Sequence, residues 1–262
     1  MYDTIPNRLY QEAYGFVAER ADRHYLKEQL SFPPRPAANT MIEVYRRLID
    51  ALLRNNKMKK VIGQVESLSE HLSEFDPIMT HAEYGDQWER MLESVRPRIE
   101  QHDEAYWEVF CIGALSGASF LSQLGFLEDF NDFVKGFYHN EMSMAVLPLL
   151  LQKEIAGLDY TSACAFLNNT GYPDYVPVDQ KVKALLHDTG IIESRNNYEA
   201  LKALIVIAQC NERSTAHVHG LFCMIGHGRL SEKGAKDNKV CKAFIKHVTP
   251  ILDSLSPNNL KH

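Results

Sequence analysis

Apolar residues recur at helical spacing along almost the whole chain, and stretches alternating apolar with polar residues are essentially absent. That pattern confines the fold to the all-α class, because a strand with one face in a core must alternate with a period of two. Leu9, Tyr10, Tyr14, Phe16, Val17, Tyr25 and Leu26 mark one helix over 6–29. It must stop in the stretch holding Pro33, Pro34 and Pro36, which lack amide donors and bias the preceding residues to extended backbone. Asn39 or Thr40 then caps a second helix, with Met41, Val44, Tyr45, Leu48, Leu52 and Leu53 on one face. Further helices are expected at 59–72 and at 87–101, the latter bent or broken by Pro97. Asp103 looks like the cap of a long, nearly all-apolar helix from Glu104 to about Gly117. Shorter helices are expected at 119–124, 126–137, 142–155, 160–170, 179–189, 197–210, 214–226 and 238–254. The proline stretch 33–36 and the loop 74–86 are the two candidate lobe boundaries, and no internal repeat interrupts the pattern.

With 262 residues, 45% of them hydrophobic, the chain can build one large domain or two small lobes, each with a core. Its net charge of -6 argues against holding nucleic acid by bulk charge, so any nucleic-acid contact must use local lysines and backbone amides. Cys111, Cys164, Cys210, Cys223 and Cys241 are scattered singly, a usage that fits a reduced, cytoplasmic protein rather than a disulfide or iron–sulfur framework. No signal-peptide pattern opens the chain, and no apolar run approaches the ~20 residues needed to span a bilayer. No membrane partner is expected.

One stretch carries chemistry. An apolar helix ends at Gly157, a residue that tolerates the left-handed geometry of a helix C-terminus. Leu158 is expected to point inward, and a second helix begins within three residues, capped by Asp159 or Thr161. Two helices joined this tightly, over 146–171, leave turn amides that can grip a DNA phosphate without net positive charge. Pro177 then forces an extended approach to Asp179, which stands at the mouth of the next helix, where a carboxylate is favoured in its charged form. A glycosidic bond breaking through a sugar cation needs such an anion nearby.

The run from Gly157 to Tyr172, followed by Val178-Asp179-Gln180-Lys181-Val182, resembles the helix-hairpin-helix DNA glycosylases, nearest the archaeal and bacterial 8-oxoguanine glycosylase branch. Gly157, Leu158, Ala163, Phe166, Leu167, Asn169, Gly171, Val178, Asp179 and Val182 carry the match. It extends over 105–192, weakens over 197–229 and is not seen over 1–100. The resemblance implies a two-lobed helical glycosylase fold, with a glycosylase-like core at 101–262 and an additional helical region at 1–100. It implies Asp179 as the catalytic residue, with DNA contacts from Gly157, Leu158, Asp159, Tyr160, Thr161, Lys153 and Lys181. Tyr106, Trp107 and Phe110 would line the base pocket, although aromatic residues at helical spacing are also ordinary core. Lys183 is a further candidate for phosphate contact.

Two departures shape the expected activity. Asp159 replaces the second hairpin glycine and puts a negative charge beside the expected phosphate. Thr161 stands where the branch has its Schiff-base lysine, and a hydroxyl cannot form an imine. The expectation is a monofunctional glycosylase acting on duplex DNA with one base flipped out, as a monomer, without cofactor or metal. Its target would be an oxidised, alkylated or deaminated base in repair, or a hypermodified base in phage DNA in antiviral defence. His219, Cys223 and His227 form an i, i+4, i+8 row, but at 1.5 Å per residue it spreads over about 12 Å, too far for one ion. The alternatives are a catalytically inert helical DNA-binding or adaptor protein, and an unrelated helical protein in which Gly157 only ends a helix.

Overall fold

The computed structural model describes residues 4–31, 35–54, 56–100, 103–232 and 237–255, and every regular element among them is helical. No single described helix is long and apolar enough to cross a membrane.

The expected helix over 6–29 is two, α1 (Ile5–Ala18) and α2 (Arg23–Leu30). The break follows from Asp22, whose carboxylate accepts the amides of His24 and Tyr25 and so starts a new helix. Thr40, not Asn39, caps α3 (Met41–Leu52). The helix expected at 59–72 is replaced by α4 (Asn56–Ile62) and, after Gly63 turns the chain at φ +89°, by 3₁₀ turns within Val65–Phe75 that are interrupted by a kink at Leu72, Ser73 and Glu74. Where a loop was expected over 74–86 the chain forms α5 (Pro77–Tyr84): Asp76 accepts the amides of Ile78 and Met79, and Pro77 fits the first turn. The helix over 87–101 ends early, as α6 (Trp88–Val95) followed by a 3₁₀ turn at Pro97.

α7 (Glu104–Leu124) runs unbroken through the gap expected near Gly117. A Cβ on Gly117 would lie 2.6 Å from Leu48 Cδ2, so that glycine serves close packing against α3 rather than termination. Asp103 precedes α7 without making a side-chain cap bond. α8 (Leu127–Lys135), α9 (Glu141–Glu154), α10 (Tyr160–Asn169), α11 (Gln180–Asp188), α12 (Asn197–Cys210), α13 (Thr215–His227) and α14 (Asn238–Ser254) follow close to expectation.

These elements form two compact units, Arg35–Tyr172 and the discontinuous pair Met1–Pro34 with Pro173–His262. The division differs from the expected break at residue 100. α3, α5 and α6 pack on α7, whose nearly all-apolar surface needs cover on several sides, so residues 35–100 belong with the hairpin. α1 packs instead on α12, α13 and α14, which ties the N-terminal helices to the last third of the chain. The division between residues 34 and 35 falls within the proline stretch 33–36, of which Pro33 and Pro34 lie outside the described residues.

α7 is the core helix of the Arg35–Tyr172 unit, burying Trp107, Phe110, Cys111, Ala114, Leu115, Ala118 and Leu121. α13 plays that part in the other unit, with Val218, Leu221, Phe222, Met224 and Ile225 buried among α1, α2, α11, α12 and α14.

Candidate functional site

Asp179 closes an extended stretch after Pro177 and caps α11. Its Oδ1 accepts the amides of Lys181 (2.7 Å) and Val182 (2.9 Å). Its Oδ2 accepts a hydrogen bond from Nε2 of His227 at 2.6 Å. One oxygen is thus fixed by the backbone of its own helix, and the other is turned to a histidine 48 residues away. His227 is the last residue of α13, and Gly228, in the left-handed region at φ +63°, ends that helix immediately after it. The two helices meet closely: a Cβ on Gly226 would lie 3.3 Å from the backbone of Lys181.

Partial burial pushes the Asp179 carboxyl up, but the Val182 amide, His227 and the Lys181 amide together hold it below the ordinary carboxylate value. The group is therefore ionised at neutral pH. Its side chain keeps 39% of its surface exposed. A fixed, ionised and reachable carboxylate can stabilise a cation, orient a water or ligate a metal.

Two more side chains of α13 approach this pair. Cys223 Sγ, Asp179 and His227 offer three ligand atoms all within 4.8 Å of one another. His219, one turn before Cys223, brings its Nε2 to 3.4 Å from the thiol. Burial, with the charge of Asp179, pushes the Cys223 thiol up to about 12, which makes it a poor nucleophile at neutral pH. Burial pushes the His219 imidazole down to about 4, so it is neutral. The sequence offered His219, Cys223 and His227 as a row on one helix; it carried no sign that Asp179 completes the cluster from another element.

The hairpin lies in the other unit. Gly157 takes φ +74°, as a glycine C-terminal to a helix should, and Leu158 is buried. The amide of Leu158 donates to Ile155 O at 3.2 Å, so its expected role as a phosphate donor does not hold. Asp159, not Thr161, caps α10, accepting the Ser162 amide at 2.7 Å. Its carboxylate thereby occupies the helix N-terminus where a phosphate was expected. Tyr160 is buried and donates its hydroxyl proton to Ala145 O at 2.9 Å, so its ring belongs to the core rather than to a DNA surface. Thr161 is half-buried, and Lys153 is exposed in the last turn of α9. The turn is docked on α7: Ser116 Oγ accepts the Ala156 amide at 2.9 Å, and a Cβ on Gly113 would lie 2.8 Å from Ala156 O.

Other expected residues separate. Lys181 is exposed two residues after Asp179, but Lys183 is buried, its Nζ donating to Asn197 Oδ1 at 2.7 Å, and cannot reach a phosphate. Trp107 and Phe110 are packed edge to face in the core, with ring centroids 6.1 Å apart, so they do not form the wall of an open base pocket; Tyr106 beside them is half-buried. All five cysteines are free thiols. Comparisons with protein-family models, with curated proteins and with solved structures found no match to this chain.

Proposed function

We propose that the chain is a monofunctional DNA glycosylase, with Asp179 as the anion that stabilises the developing sugar cation. The supporting observation is the state of that carboxylate: ionised, partly exposed, fixed through Oδ1 by two amides and oriented through Oδ2 by His227. In the proposed reaction the base leaves with the bonding electron pair. A water beside Asp179 adds to C1′, and its proton goes to the departing base. Thr161 in place of a Schiff-base lysine leaves no imine route and hence no lyase step. DNA contact is assigned to the Gly157 turn, with exposed Lys153 in the preceding helix, and to Lys181 beside Asp179. The substrate is a flipped damaged or modified base, which costs less to extrude than a normal paired one.

A second reading, a catalytically inert helical DNA-binding or adaptor protein, is favoured by the buried state of Trp107 and Phe110 and by Asp159 filling the start of α10. The two are separated by incubating the protein with oligonucleotides carrying oxidised, alkylated or deaminated bases and with phage DNA containing modified cytosines. Released small molecules are then identified by mass spectrometry. A free base released by the wild type and not by Asp179→Asn supports the glycosylase. Intact binding with no base released from any of these DNAs supports the inert protein.

A further inference from the structure

The donors around Asp179 are of three kinds: a carboxylate oxygen, a thiol sulfur and an imidazole nitrogen. This is the ligand set that borderline-soft divalent cations select, and it is poorly suited to magnesium or calcium, which take oxygen. The three atoms lie within 4.8 Å of one another. A tetrahedral zinc ion with bonds of ~2.0–2.3 Å spaces its ligands by roughly 3.5 Å, so the hydrogen-bonded Asp179–His227 pair must open from 2.6 Å by about 1 Å while the widest separation closes by a similar amount.

Two features prepare the site. Cys223 and His227 are separated by one helical turn on the same face of α13, so their side chains converge without backbone change. Asp179 is oriented from behind, because Oδ1 is held by the amides of Lys181 and Val182 while Oδ2 points at the cluster. His219 adds an independent pointer. Its Nε2 lies 3.4 Å from the Cys223 sulfur, where it can hydrogen-bond the ligating atom from outside the triad. The full row is too long for one ion, but its Cys223–His227 half, joined by the Asp179 cap of α11, is compact enough.

We infer that Asp179, Cys223 and His227 form a binding site for a zinc-class divalent cation, with water as the fourth ligand. On binding, the Cys223 thiol releases its proton to solvent, and the His227 proton moves from Nε2 to Nδ1 so that Nε2 can ligate. The ion takes over Oδ2 of Asp179, so occupancy withdraws the anion from the proposed glycosylase reaction. Cation binding does not depend on that reading; only the inhibition rests on it.

The test uses the full chain, stripped with chelator and titrated with Co²⁺ as a spectroscopic probe and with Zn²⁺ in calorimetry. One equivalent of Co²⁺ is expected to give a thiolate charge-transfer band. Cys223→Ser should abolish that band, and both Cys223→Ser and His227→Ala should weaken Zn²⁺ binding at least tenfold, whereas His187→Ala, outside the cluster, should change nothing. Circular dichroism of the metal-free variants checks that they are folded, and Zn²⁺ should raise the melting temperature of the wild type and of His187→Ala but much less that of Cys223→Ser or His227→Ala. No saturable binding, or binding indifferent to Cys223→Ser and His227→Ala in folded protein, overturns the site. In the base-release assay Zn²⁺ should suppress activity and chelator restore it; release that persists with Zn²⁺ bound overturns the inhibition. No release under any condition counts against the glycosylase while the cobalt spectrum still decides the metal site.

Discussion

At the scale of single residues, two aspartates cap helices in the same way and have opposite consequences. Asp179 has its second oxygen engaged by His227 and still reachable, and Asp159 covers the helix start it caps. Asp179→Asn keeps a good cap, since asparagine is as effective there, so the melting temperature should hardly move. Base release should fall by roughly 10²–10³-fold, the usual loss on removing one electrostatic stabiliser of a transition state. A variant that melts normally and still releases base removes Asp179 from the chemistry. Asp159→Asn keeps its cap too but removes a negative charge from the hairpin. DNA affinity, read by fluorescence anisotropy, should rise several-fold at low salt, with the gain shrinking as salt screens it. Unchanged affinity would remove the hairpin from the DNA surface. Asp179 was legible in the sequence because Pro177 and the following helical pattern mark it as a cap. Its partner His227 was not, because a contact across 48 residues leaves no trace in local spacing.

At the scale of elements, glycines decide where helices end and how closely they approach. Gly228 ends α13 one residue after His227, at φ +63°, and a Cβ there would lie 2.0 Å from Asp237 O. Gly228→Ala therefore combines left-handed strain with a backbone clash and should destabilise the protein by about 2–4 kcal/mol, measured by urea unfolding. The same shift should displace His227 and weaken its bond to Asp179. A loss under ~1 kcal/mol would mean that the end of α13 yields easily and does not fix the site. Helix identity was largely legible: α9 to α14 fall within a residue or two of their expected bounds, because caps such as Asn140, Asp159, Asn196 and Ser214 coincide with apolar periodicity. α5 was missed for the converse reason. Its eight residues present no long apolar stripe, and its start rests on an Asp76–Pro77 signal that also reads as a turn. The break between α1 and α2 was hidden because apolar positions continue in phase across it; the Asp22 cap is the only local mark.

At the scale of the whole molecule, the division into units follows from which helix needs cover, and this cannot be read from segment order. α1 joins helices more than 150 residues later in the chain, and residues 105–192, on which the sequence reading rested, cross a unit boundary that no local pattern marks. The division also sets how acid should act. Among the described histidines, burial lowers His71 in the Arg35–Tyr172 unit, and lowers His217 and His219 in the other. His217 is held neutral by geometry as well, with Nδ1 donating to Leu30 O and Nε2 accepting from Tyr10. For His219 the folded value of about 4 lies below the ordinary 6.5. As pH falls, the unfolded chain takes up this proton first, so stability present at pH 7 is lost progressively between about 6.5 and 4. At pH 5 the loss from His219 alone should be ~2 kcal/mol, with His217 acting in the same direction. Hydrogen-exchange protection in chelator-treated protein should therefore drop more at α13 than at α7 on going from pH 7 to pH 5, and His219→Gln should remove most of that difference. Equal losses in the two helices would show that both units unfold together; a larger loss at α7 would place the acid-sensitive groups in the hairpin unit instead.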